Sequence, residues 1–249
     1  MGAGVVVSPA AYGRRMLHAL LDALFPPRCP GCERRGNALC DRCARALTSA
    51  PHALPPPGVS WWTACYAYEG VARELIARAK YRGERRALSA IVPALARAIA
   101  RAPTAIDIVT WAPASRARMR ERGVDHAEML ARAVARERGV LVVGVLERST
   151  GPPQTGLDGR ARRTGPPMRA LPFVAGATVL VVDDVATTGG TLAAAARALR
   201  ASGASDVFAA TIARTRRPDD PLRAAAYTSA RWTSSSSGTT RKSIPNSAP

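Results

Sequence analysis

The run Val179-Leu180-Val181-Val182-Asp183-Asp184-Val185-Ala186-Thr187-Thr188-Gly189-Gly190-Thr191 leaves this chain little freedom of fold. Thr178–Val182 is a near-continuous apolar stretch, the pattern of a strand buried on both faces of a parallel sheet. It hands two adjacent acids to a Thr/Gly loop, and the Ala-rich stretch Thr191–Ser202 follows as a helix. Ligands of open α/β sheets bind at the carboxyl ends of strands. Glycines let backbone N–H groups approach a phosphate with no Cβ in the way. The helix start adds the positive end of a dipole, and the threonine hydroxyls add donors. Two adjacent carboxylates suit the paired hydroxyls of a ribose ring. Helix capping alone does not call for an apolar strand, an acid pair and Thr-Thr-Gly-Gly-Thr in succession. A P-loop needs Gly-Lys-Ser/Thr at the helix start, and no lysine lies nearby.

The flanking pattern alternates strands and helices, which predicts a parallel sheet with right-handed crossovers. Strands are expected at Trp61–Tyr68, Ile106–Trp111, Val140–Leu146 and Asp206–Ala213, and helices at Ala72–Lys80, Ala87–Arg101 and His126–Arg138. Gly151–Pro167 reads as a polar loop rich in Gly, Pro and Arg. The organisation expected is a leader and amphipathic helix over 1–25, a cysteine module over 26–49 and a Pro-rich linker over 50–60. An α/β domain then fills 61–217, with a hood at about 61–104 and a core at about 105–215. A disordered Ser/Thr-rich tail is expected over 218–249.

Cys29-Pro30-Gly31-Cys32 and Cys40-Asp41-Arg42-Cys43 form C-x2-C-x7-C-x2-C. Two such pairs can set four thiolates tetrahedrally around Zn2+. A dithiol redox role is the alternative chemistry for either pair. A module this small has too little core to fold without metal. Cys65 stands alone on an expected strand and reads as an apolar residue.

The formal net charge is +18, with lysine only at positions 80 and 242. Arginine is spread along the chain, so the charge reads as a compositional bias more than a nucleic-acid patch, though a positive field still attracts polyanions. No stretch approaches the apolar length of a membrane span, and the cytoplasm is the expected compartment.

The phosphate segment resembles the phosphoribosyl pyrophosphate signature of type I phosphoribosyltransferases. With the cysteine module it makes the chain similar to the ComF family of DNA-uptake competence systems, over roughly residues 24–215. Tyr68-Glu69-Gly70 with Lys80-Tyr81-Arg82-Gly83, the Arg116–Gly123 turn and Pro152-Pro153-Gln154-Thr155-Gly156-Leu157 carry the likeness further. The chain leaves the family pattern at Val124-Asp125-His126, where Phe-Asn-Gln is usual, at Gly165, where an Asn is usual, and at Trp111-Ala112-Pro113-Ala114.

The resemblance implies a type I phosphoribosyltransferase-like sheet that binds phosphoribosyl pyrophosphate, or a related nucleotide, with Mg2+. Asp183 and Asp184 would hold the ribose 2- and 3-hydroxyls. Ala186, Thr187, Thr188, Gly189, Gly190 and Thr191 would hold the 5-phosphate. Arg162 is the expected catalytic donor, and Arg116, Arg122, Gln154, Thr155, Gly156 and Arg163 would face the pyrophosphate. Single-stranded DNA and a competence helicase-like protein are the further partners implied. A non-catalytic nucleotide- or DNA-binding module is the competing class, with Trp61-Trp62 as its one aromatic cluster. A ligand-responsive regulator on the same fold ranks third.

Overall fold

The computed structural model describes residues 28–36, 39–148, 165–217 and 220. After a short helix α1 (Asp41–Arg45) the chain enters β1 (Trp61–Ala67), followed by α2 (Gly70–Arg82), α3 (Arg85–Ser89) and α4 (Val92–Ile99). Then come β2 (Ile108–Trp111), α5 (Arg116–Arg122), α6 (His126–Arg138), β3 (Leu141–Val142), β4 (Leu146–Arg148) and β5 (Met168–Ala170). The fold closes with β6 (Thr178–Ala186), α7 (Gly190–Ala201) and β7 (Asp206–Arg214). The central sheet runs β1-β7-β6-β2-β3, and every pairing in it is parallel.

Strand alternation divides the core in two. Leu180 and Val182 of β6, with Phe208, Ala210 and Ile212 of β7, meet α2, α4 and α6 on one face. Val179 and Val181, with Val207 and Ala209, meet the Ala-rich flank of α7 on the other. Small alanines let α7 lie close to the sheet. This two-sided cover is why β6 and β7 read as continuous apolar runs.

Several expected elements differ for identifiable reasons. The helix expected over Ala87–Arg101 is two helices, because Pro93 occupies the first turn of α4 and restarts it. Val140–Leu146 is not one strand. Gly144 lies against Trp111, where a Cβ would come within 2.8 Å of the indole, and the chain leaves the sheet there. Leu146–Arg148 instead pairs antiparallel with Met168–Ala170. The strand expected to end at Val182 runs on to Ala186, because β7 accompanies it through Arg214. The sheet also reaches beyond the expected core, since Trp61–Ala67, placed with the hood, pairs with β7.

Trp61 and Trp62 pack into opposite faces of the sheet. Trp61 meets Phe208 edge-on at 5.7 Å, and the guanidinium of Arg214 lies 5.6 Å from the Trp62 ring. A cavity of about 80 Å³ between α4, α6 and the sheet lies toward the amino ends of β2 and β6, away from the acid pair.

The Pro-rich stretch 50–60 lies along the domain. Ala50 N–H donates to Cys65 O, and Ser60 N–H to Val207 O. Arg200 of α7 donates to Gly58 O at 2.8 Å and to Ser60 Oγ at 2.7 Å. A strap held this way should resist elastase: native protein should show no cut within 51–60 before it unfolds globally, and Arg200→Ala should admit one. Rapid cleavage there in the unaltered native chain would mean that the segment hangs free.

Candidate functional site

β2 stops at Trp111, opposite Val182, so the next two residues of β6, Asp183 and Asp184, project past their neighbour on that side. From β2 the chain turns outward to β3, and from β6 it turns the opposite way to β7. The acids therefore stand at the point where the winding of the sheet reverses, the place where α/β sheets open a crevice.

The strand changes phase at this point. Leu180 and Val182 share one core face, and Val179 and Val181 the other, yet Val185 packs with the first group and Ala186 with the second. The alternation turns over across the acid pair.

Lys80, in the last turn of α2, places its Nζ 2.7 Å from Asp184 Oδ2, with the two side chains 15% and 16% exposed. Asp184 N–H donates to Asp183 Oδ1 at 2.8 Å. Burial and the adjacent Asp184 carboxylate raise the Asp183 carboxyl to about 8, and that N–H and the Lys80 ammonium only partly oppose the rise. On β4, Arg148 is half-buried and feels the Asp183 carboxylate. Its own burial and the nearby Arg118 hold it below the ordinary arginine value.

Beyond the acids, Thr187 and Thr188 are exposed, Gly189 caps α7 with φ +77°, and Gly190 is buried as the first residue of the helix. Gly190 N–H donates to Thr188 Oγ1, and Thr215 bonds the Ala186 and Thr187 carbonyls. Gly165 has φ +70° and sits where a Cβ would come 2.0 Å from Gly190 O, so only glycine fits against the start of α7.

Asp125, only 8% exposed, accepts at Oδ1 from Ala127 N–H and Glu128 N–H, capping α6, and at Oδ2 from Ala114 N–H, fixing the turn after β2. His126 Nε2 bonds the carbonyl of Ala79 at 2.9 Å, one residue before Lys80.

Arg116 is exposed, and Arg122 lies over the Tyr81 ring at 5.3 Å. Gln154, Thr155, Gly156, Arg162 and Arg163 lie outside the described residues, as do the leader helix and nearly all of the 218–249 tail. Sequence reasoning missed Lys80 and Arg148 as neighbours of the acid pair. Lysine in an Arg-rich chain was a usable signal for the first. Nothing distinguished Arg148 from the other arginines.

At the cysteine module, Cys32 and Cys40 sulfurs lie 3.7 Å apart, and all four Sγ atoms fall within 4.8 Å of one another. Four sulfurs on zinc at about 2.3 Å sit roughly 3.8 Å apart, so the cluster has zinc dimensions. Glu33, with φ +61°, turns the chain so that its N–H donates to Cys29 O at 2.7 Å. Burial opposes ionisation of Cys29, but N–H groups of Cys40, Gly31 and Cys32 outweigh it and bring the thiol down to about 6. The set is a structural Zn2+ site.

The module is docked, not tethered. Val71 of α2 lies against Gly31, Leu39 and Leu47 join the main core, and Arg78 of α2 pairs with Glu33 at 2.7 Å.

Residues 122–242 match the phosphoribosyl transferase domain, and residues 20–54 the double zinc ribbon domain. The described fold is accordingly a type I phosphoribosyltransferase-like sheet with an N-terminal four-cysteine zinc module. No curated protein matches the chain. Among solved structures, the glutamine phosphoribosylpyrophosphate amidotransferase of B. subtilis is 22% identical, with TM-score 0.34, over 49% of this chain and 25% of its own. Adenine phosphoribosyltransferase of Thermoanaerobacter pseudethanolicus is 17% identical, with TM-score 0.36, over 54% and 83%. The purine phosphoribosyltransferase of Pyrococcus horikoshii is 16% identical, with TM-score 0.33, over 51% and 82%. The chain covers about a quarter of the length of that amidotransferase and of an allosteric regulatory enzyme of purine biosynthesis that it also matches.

Two outcomes follow from this geometry. A carboxyl raised in the folded state binds its proton more tightly there than when unfolded, so Asp183 subtracts stability as pH rises from near 4 to about 8, and the loss is complete above that. Asp183→Asn should therefore gain Tm over the unaltered chain at pH 8.5 and little at pH 4.5. A gain of about 1 kcal/mol reads as ~2–4 °C, and an equal difference at both pH values would contradict it. Chelating the zinc should lower the Tm of the whole chain by about 5 °C or more, because the docked module shares its core. An unchanged main transition would show that the module adds nothing to the domain.

Proposed function

We propose that the protein binds phosphoribosyl pyrophosphate with Mg2+ and transfers the phosphoribosyl group to an acceptor nucleophile. The observation that carries this reading is the acid pair at the winding reversal of the sheet, set beside a glycine-led helix start. Asp183 and Asp184 accept hydrogen bonds from the ribose 2- and 3-hydroxyls. The backbone N–H groups and hydroxyls of Thr187–Thr191 hold the 5-phosphate at the positive end of α7. Arg116, Arg122, Arg162 and Arg163 are the donors assigned to the pyrophosphate, with Arg162 acting as charge develops on it.

In the transfer, the bond from C1 to the pyrophosphate oxygen breaks, and its electron pair leaves with the pyrophosphate. A lone pair of the acceptor forms the new bond to C1, and the acceptor's proton passes to solvent. The carboxylates at the site are the hard oxygen donors that Mg2+ takes, and the ion supplies charge neutralisation on the departing group. Packing of Trp61 and Trp62 into the sheet removes the one aromatic cluster that a base-stacking module would use, which favours a small ligand. The resemblance to the ComF family supports a link to DNA uptake.

Phosphoribosyl pyrophosphate with Mg2+ should raise the Tm by mass action, ~2.7 kcal/mol of stabilisation at a hundredfold excess over Kd. The Asp183→Asn, Asp184→Asn double variant should fold and show no such shift. A panel of nucleobase and amine acceptors should reveal one that releases pyrophosphate. A shift that survives in the double variant would sink the acid-pair assignment, and no pyrophosphate release with any acceptor tried would reduce the reading to binding alone.

A further inference from the structure

Lys80 is the only lysine among the described residues, in a chain where arginine supplies nearly all of the other basic side chains. It is largely buried, with its Nζ 2.7 Å from Asp184 Oδ2. Arginine would grip that carboxylate with a planar two-pronged fork. Lysine offers a compact charge on a flexible stem, which can leave one anion for another. The base of this stem is fixed on two sides. His126 Nε2 bonds the carbonyl of Ala79, and Arg78 is held by Glu33 and Glu74 at 2.7 Å each. The last turn of α2 is therefore braced from α6 and from the zinc module, and the freedom that remains belongs to the Lys80 side chain.

We infer that Lys80 is a ligand-binding residue of this site, which exchanges Asp184 for the pyrophosphate of an incoming phosphoribosyl ligand. The inference rests on the phosphoribosyl reading above. In the ligand-free chain the ammonium compensates the carboxylate. When ribose hydroxyls occupy the acid pair, the carboxylate lone pairs are taken. The substituent on C1 is vicinal to the 2-hydroxyl, so a strongly anionic group arrives beside the ammonium. Three N–H donors then turn to phosphate oxygens, which bind a cationic donor strongly. A counter-ion serving only to neutralise Asp184 would be blind to what C1 carries. A pyrophosphate ligand would distinguish the two ligands that share the sugar and the 5-phosphate.

The test compares Mg2+–phosphoribosyl pyrophosphate with ribose 5-phosphate by calorimetry on the full zinc-loaded chain. Lys80→Met keeps the stem and removes the charge. It should weaken phosphoribosyl pyrophosphate binding ~10–100-fold, the loss of one charged hydrogen-bonding group, and change ribose 5-phosphate binding less than about twofold. Lys80→Arg retains the ion pair, which guards against a folding defect, and should fall between the unaltered chain and Lys80→Met for phosphoribosyl pyrophosphate alone. Equal losses for both ligands would make Lys80 a positioning residue for Asp184 and overturn the inference, as would no loss for either. If the unaltered chain bound neither ligand, the phosphoribosyl reading itself would fall and this inference with it.

Discussion

Two carboxylates at the end of an otherwise dry strand repel each other and are only partly open to solvent. Removing one buried charge from water costs several kcal/mol, more than an ordinary hydrogen bond returns. The surrounding elements answer that deficit. Burial and the adjacent Asp184 carboxylate push the Asp183 carboxyl well above its ordinary value. Asp184 keeps Lys80 against it, and Arg148 approaches from β4. Lys80 ties the end of α2 to the acid pair, and Arg78 ties the same helix to the zinc knuckle through Glu33. The acid pair thus organises structure well beyond the crevice it lines.

Asp125, His126 and Gly165 each have a structural reason for being there. Asp125 uses both oxygens as acceptors, one toward the start of α6 and the other toward Ala114 N–H. An asparagine would offer one acceptor oxygen and set an amide N–H₂ against the second donor. The neighbouring histidine ties α6 to α2. Gly165 is demanded by the carbonyl of Gly190. These residues shape the frame around the ligand groups.

Much of this was legible in the sequence where local pattern and tertiary need agree. His126–Arg138 is a helix with the expected bounds because its cap, its apolar stripe and its terminal glycine all point the same way. The acid pair, its loop and the cysteine spacing were read directly. What escaped was non-local. No periodicity shows that Lys80 lies on Asp184, that β6 changes phase at its acids, or that Gly144 must clear an indole. The extension of β6 past Val182 depends on a partner strand that ends later in the chain.

The strand order carries a consequence for how such a chain comes together. Among the described residues β1 is the first strand made, and its one partner in the central sheet is β7, the last. Contacts that distant in sequence form late and slowly, so during synthesis β1 and α2 must wait for the rest of the sheet. The four thiolates need nothing from downstream. Metal captured early would give the N-terminal segment a folded shape while its sheet is still unmade, in the interval when nascent chains are prone to aggregate; Leu39 and Leu47, which pack on the main core, would gain their cover only when that core forms.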